Sequence, residues 1–169
     1  MYALRYSFGF LPVLIAIAGN LIGGYFAAGN IVFSLVFMVI IDWFAPTDQH
    51  KIPVEDSKLP DGVLLFSVFI HTAGVVSLLY GVVSGILTGG AVWLAAISTG
   101  FAGGILGITA AHELIHRERD RWLQYLGIWN LFIVCYTHFF TEHRLVHHVK
   151  VGTAADPATA RYGERFYAF

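Results

Sequence analysis

No lysine, arginine, aspartate or glutamate occurs between Arg5 and Asp42, and none between Asp61 and Glu113. Each gap is long enough for two membrane crossings of roughly 20 residues. Only 12% of the 169 residues are charged and 57% are hydrophobic. A soluble domain has about 25% charged residues, so this chain lacks the polar surface that would hold it in water. The apolar character continues through a second segment, which a cleaved leader would not show, so none is expected. The single cysteine, Cys135, can form no internal disulfide and leaves the redox compartment open.

The pattern predicts transmembrane helices over 8–27, 31–44, 63–83 and 87–111. The first pair is joined at Ala28-Gly29-Asn30 and the second at Ser84-Gly85. Two such hairpins return their charged ends to one side. Arg5, the Asp42–Asp61 loop with Lys51 and Lys58, and everything after Ala111 share that side, which holds all ten Lys and Arg. By the positive-inside rule it is cytoplasmic, and the membrane is the inner one. A fifth apolar stretch, 122–140, contains Gln124, Asn130 and His138. If it crossed, the histidines on its two sides would face opposite compartments. It is therefore expected to be re-entrant or interfacial, buried against protein. Residues 1–169 read as a single membrane domain. Gly100, Gly103, Gly104 and Gly107 form overlapping Gly-x-x-x-Gly patterns, expected to serve close helix packing.

Two histidine clusters follow the last long apolar run: His112-Glu113-Leu114-Ile115-His116, and Glu142-His143-Arg144-Leu145-Val146-His147-His148. Imidazole is the commonest protein ligand for iron, zinc and copper. His112 and His116 are four apart and share a helix face, as do His143 and His147, whereas on an α-helix His148 points roughly 100° away, toward a second ion. Five imidazoles in two clusters suit a binuclear centre. Glu113 and Glu142 are placed to orient imidazole N–H groups or to supply compensating charge. His138 is a possible additional ligand, His71 is expected to be a buried, hydrogen-bonded imidazole, and His50 a solvated one. His112-Glu113-x-x-His116 also fits a zinc protease in which the glutamate is the general base. That motif alone does not choose, but three further imidazoles point to two metals. The fold class is thus all-α integral membrane: four transmembrane helices, a re-entrant helix and a cytoplasmic histidine-rich metal-binding end over 112–169.

At these residues the chain resembles the membrane-bound alkane 1-monooxygenase family, within the integral-membrane fatty-acid desaturase/hydroxylase superfamily. His112 to Arg117 is similar to its first histidine box and Glu142 to His148 to its second. The run Val149-Lys150-Val151-Gly152-Thr153-Ala154-Ala155-Asp156-Pro157-Ala158-Thr159-Ala160-Arg161 resembles the segment that follows. The resemblance implies a dioxygen-dependent monooxygenase holding two iron ions, with His112, His116, His143, His147 and His148 among the ligands. It implies hydroxylation of the terminal methyl of an alkane with electrons from rubredoxin and rubredoxin reductase. Position 146 is Val where many relatives have Gly, so a methyl-aromatic or fatty-acyl chain also fits. No paired Cys-x-x-Cys is present, so the donor is expected to be separate; Arg117, Arg119, Arg121, Arg144 and Lys150 are expected to be ordinary positive-inside residues, with steering of an acidic donor as the sharper option. Nucleic acid is not an expected partner. Asp156-Pro157 is expected to make a turn or helix start, with support of a metal ligand as the sharper option. A third histidine box, present in family members, does not occur before Phe169. The chain therefore reads as an N-terminal portion, expected to be inactive alone. The alternatives are an intramembrane zinc metalloprotease and a non-catalytic membrane-embedded module.

Overall fold

A computed structural model describes residues 6–46 and 59–169. Arg5, His50, Lys51 and Lys58 lie outside the described residues. Within them all regular structure is helical. Helix α1 (Ser7–Ile22) is followed by α2 (Gly24–Phe44), α3 (Leu59–Val83) and α4 (Gly90–Ile115). A shorter α5 (Arg121–Ile133) and a terminal helical segment, α6 (139–150), complete the set. Three stretches, Gly24–Phe44, Asp61–Val83 and Gly90–Ile115, are long and apolar enough to cross a membrane, and Ser7–Ile22 is a shorter apolar helix. Their outer faces carry exposed Leu, Val, Ile and Phe side chains, as lipid-facing helices do. This is an integral membrane protein.

The break between the first two segments lies at Gly23, not at Ala28-Gly29-Asn30. Gly23 has φ 81°, and a Cβ there would stand 2.6 Å from the Ile86 carbonyl oxygen, so both backbone conformation and space require glycine. Asn30, expected in the link, lies within α2 because its side chain has interior work. Its amide donates to the Ser98 carbonyl at 2.8 Å and its Oδ1 accepts from Ser34 at 3.1 Å. Asn20 on α1 does the same for the other helices, donating to Ser77 on α3 at 2.9 Å and to Thr99 on α4 at 3.1 Å. Lipid tails are as apolar as leucine, so such hydrogen bonds and close contacts, rather than a hydrophobic drive, hold helices together. Phe10, Val13, Ala16, Ile70 and Ala102 form the apolar core between α1, α3 and α4.

Helix α4 carries the chain from this bundle to the first histidine pair. After a tight turn, Asp120 accepts from the Trp122 and Leu123 N–H groups and so caps α5. Helix α5 then returns along α4. Gly127 makes the approach possible, because a Cβ there would meet Ile115 at 2.8 Å and Leu114 at 3.0 Å. Ala111, Ile115 and Leu131 are buried between the two helices, and Phe139 and Phe140 at the start of α6 close over them. That closure lays the second histidine run beside the first.

Candidate metal centre

His112 and His116 project from the end of α4, and His143, His147 and His148 from α6. One ligand nitrogen from each of His112, His116, His143 and His148 lies within 4.8 Å of all the others. His143 is central: its Nε2 is 3.1 Å from Nε2 of His116 and 2.9 Å from that of His148. Phe139 stacks on the His143 ring at 4.6 Å and 15°, forming an apolar wall to the cluster.

The order of participation along α6 departs from α-helical spacing. Residues Glu142–His147 form a π-turn, in which the backbone bonds i to i+5. Positions five apart therefore stack, and His148 rather than His147 comes beneath His143: ring centroids are 4.5 Å apart for His143 and His148 against 5.5 Å for His143 and His147. His147 sits at the edge of the group. Its Nδ1 is 2.9 Å from Oδ2 of Asp156, leaving Nε2 as its remaining ligand atom. Asp156 is only 4% exposed and is itself held, accepting from the Ala158 N–H at 3.0 Å and from the Thr159 hydroxyl.

The two glutamates of the motifs stand elsewhere. Glu113 is exposed and accepts from Arg117 at 3.2 Å, while Arg117 also donates to Asp61 at 3.0 Å. Glu142 is exposed, and no imidazole bonds to it among the described residues. His138 is exposed against Tyr136, with rings 4.4 Å apart, outside the cluster. His71 lies within the helix bundle, 1% exposed. Asp156 is thus the carboxylate that touches a candidate ligand, and its signal was its position after the second cluster. Phe139, four residues before His143, had only helical spacing to announce it. Arg144 does not stand free: it donates to Glu118 at 2.6 Å and lies 5.0 Å over the Phe140 ring, pinning α6 to the α4–α5 turn.

The electrostatics favour cations other than protons. Burial lowers the His116 pKa, and His112, His148 and the Arg144 guanidinium lower it further, against Glu113. Burial and the surrounding His112, His148, His116 and His147 push His143 down to about 4. For Asp156, burial would raise the pKa, but hydrogen bonds from Thr159, Ala158 and His147 outweigh it and hold the carboxyl below its usual range. At neutral pH His116 and His143 therefore present unprotonated nitrogens, the form in which imidazole binds metal. The donor set fits a metal. Two nitrogens about 2.0–2.1 Å from one ion, at roughly 90–110°, would be about 3 Å apart. The observed nitrogen pairs, at 2.9 and 3.1 Å, have that spacing without rearrangement.

A cavity of 520 Å³ reaches this centre from the helix bundle. It runs between α1, α3 and α4 past Phe10, Val63, Ile105 and Leu106, and ends at His112, with Glu113 and Arg117 at its polar rim.

Comparison with known proteins shows what the site is similar to. Residues 88–169, which include both histidine segments, match the family model described as fatty acid desaturase. The same chain is similar to alkane 1-monooxygenases. Alkane 1-monooxygenase 1 of Alcanivorax borkumensis is 45% identical over 76 residues, 44% of this chain and 18% of that protein. Alkane 1-monooxygenase 2 of Pseudomonas aeruginosa is 42% identical over 73 residues, 43% of this chain and 19% of that protein. The alkane 1-monooxygenase of Pseudomonas putida is 43% identical over 76 residues, 44% of this chain and 18% of that protein. The matched stretch thus spans less than a fifth of each of these relatives. No solved structure matches it.

Proposed function

We propose that this protein serves a di-iron, dioxygen-dependent monooxygenase that hydroxylates the terminal methyl of alkanes or similar hydrocarbon chains, with electrons from rubredoxin and its reductase. The observation that carries the reading is the apolar cavity ending at His112, one of four convergent imidazoles. His112, His116, His143 and His148 would hold one part of the metal pair, and His147, backed by Asp156, would face the other. When bound, the iron pair supplies the oxidising power to activate dioxygen and attack an unreactive C–H bond.

The chain's own residues do the rest. Phe10, Val63, Ile105 and Leu106 give a hydrocarbon a dry path and direct its end toward His112. The rim sorts by charge: among the described residues Asp61 and Glu113 share the cation of Arg117, so these residues offer no free positive charge to a carboxylate substrate. This favours a neutral chain over a fatty-acid anion. Asp156 holds the Nδ1 proton of His147 and fixes which nitrogen is offered to metal. Phe139 shields one face of His143 from water. Helix α5, at 13 residues, extends about 20 Å and is short for a hydrocarbon core of about 30 Å, which supports a re-entrant course with both histidine segments on the cytoplasmic side.

The zinc-protease alternative needs Glu113 free to act as base, and here Arg117 engages it. The deciding experiment is to purify the protein from membranes, measure metals by elemental analysis, and assay octane oxidation with rubredoxin, its reductase and NADH. Iron, and octanol formation by these histidine segments in the full-length context, lost on single Ala replacement of His112, His116, His143 or His148, is the expected result. Stoichiometric zinc without iron, together with peptide cleavage, would overturn it.

A further inference from the structure

The buried imidazole of His71 lies far from the cluster along the chain, yet it touches α4, which carries the first histidine pair, and α5, which leads into the segment carrying the second. Its Nδ1 is 3.2 Å from Oδ1 of Asn130 on α5. The amide of Asn130 in turn donates from Nδ2 to the Gly107 carbonyl on α4, at 3.4 Å. A carbonyl can only accept, which fixes the amide orientation: the Asn130 oxygen faces His71, and the His71 proton is on Nδ1. One hydrogen-bonded chain therefore runs from α3 through α5 to α4. The neighbouring residues repeat the link, with the Trp129 indole N–H on α5 donating to the Thr72 hydroxyl on α3 at 3.0 Å.

The glycines that read as helix-packing motifs have a more particular use here. A Cβ on Gly107 would stand 2.5 Å from His71 Nδ1 and 2.7 Å from Nε2, and one on Gly103 would stand 3.0 Å from Nε2. Gly103 and Gly107 are the bare floor on which the imidazole lies. Both fall in the π-turn Gly103–Ile108, immediately before the residues Thr109–Ile115 that present His112. Polar side chains at this depth are costly unless paired and are retained where they have work to do. Among the described residues Nε2 of His71 has no hydrogen-bond partner, so the ring's work is done through Nδ1.

We propose that His71 is a positioning residue for the metal centre: through Asn130 and the Gly103/Gly107 floor it fixes the register of α5 against α4, and so sets the second histidine segment against the first. The proposal rests on reading the four-imidazole cluster as a metal site. Without the latch, the apolar seam at Gly127 and the Gln124 amide, which donates to the Ile115 carbonyl at 3.3 Å, would still hold one end of α5 to α4, but the end beside Gly107 would lose its register.

The test uses the full chain in lipid nanodiscs with Co2+ as the probe, following affinity and the visible absorption that reports coordination geometry. His71→Ala and Asn130→Ala should each weaken Co2+ by about tenfold or more, the scale of lost support around metal ligands, and alter the spectrum, with helicity retained. His71→Asn, which can still donate toward Asn130, should recover affinity to within about threefold of wild type. Gly107→Ala should behave like His71→Ala, yet add little in the His71→Ala background, where the imidazole it would strike is gone. Wild-type affinity and spectrum in His71→Ala would overturn the proposal, as would a His71→Asn variant no better than the alanine one. Failure of the wild-type chain to bind Co2+ would overturn the metal reading itself.

Discussion

Asp156 receives three donors, from the Thr159 hydroxyl, the Ala158 N–H and His147, although only the last is a candidate ligand. The first two aim the carboxylate; the third uses it. Asp156→Asn keeps the shape but loses the charge that draws the His147 proton to Nδ1. Metal affinity should fall by about 10- to 100-fold, as titration with Fe2+ would show, while Glu142→Gln, on an exposed side chain without an imidazole partner, should change it little. The residues of the cluster were legible as a set because histidine is rare in apolar sequence and spacing is visible. Their individual duties were not. Glu113 and Glu142 are adjacent to ligands in sequence, but adjacency places side chains on different helix faces, whereas Asp156 reaches His147 through a loop that no periodicity announces.

Helical phase is what separates the expected elements from those observed. An α-helical reading of 142–148 pairs His143 with His147; the π-turn there pairs it with His148. Nothing in the composition of Glu-His-Arg-Leu-Val-His marks the extra residue per turn, because π-turns are set by tertiary contacts. The Gly23 break was likewise hidden among many glycines, and only its contact with Ile86 distinguishes it. Gly23→Ala should therefore cost on the order of 1–3 kcal/mol, measurable as a lower thermal midpoint, whereas Gly62→Ala, in open space, should not. The course of α5 has a separate test. With Cys135→Ser as background, cysteines at Arg119 and Lys150 should both react with an impermeant reagent from the cytoplasmic face only. Reaction from opposite faces would mean that α5 crosses and would remove the shared site.

For the whole molecule, a metal that binds the folded cluster but not the dispersed imidazoles of an unfolded chain stabilises the fold by mass action. The gain is about 2.7 kcal/mol when free metal is a hundred times Kd. Fe2+ should therefore raise the thermal midpoint of the purified protein and a chelator should lower it. His143→Ala should be insensitive to both. The membrane character behind this was the most legible feature, since two long charge-free gaps admit few other folds; the cavity was not, because it depends on how three helices splay rather than on any one of them.

That cavity is lined by the exposed Tyr6 and the buried Phe10 and reaches His112. On the proposed function, a hydrocarbon passing the exposed Tyr6 would be drawn from the bilayer and not from the aqueous phase. The quantity that governs turnover is then its mole fraction in the membrane. Adding empty lipid vesicles at constant total substrate should slow the reaction by dilution in two dimensions, and an apparent KM quoted in molar units would shift with the amount of lipid in the assay while the enzyme stayed the same.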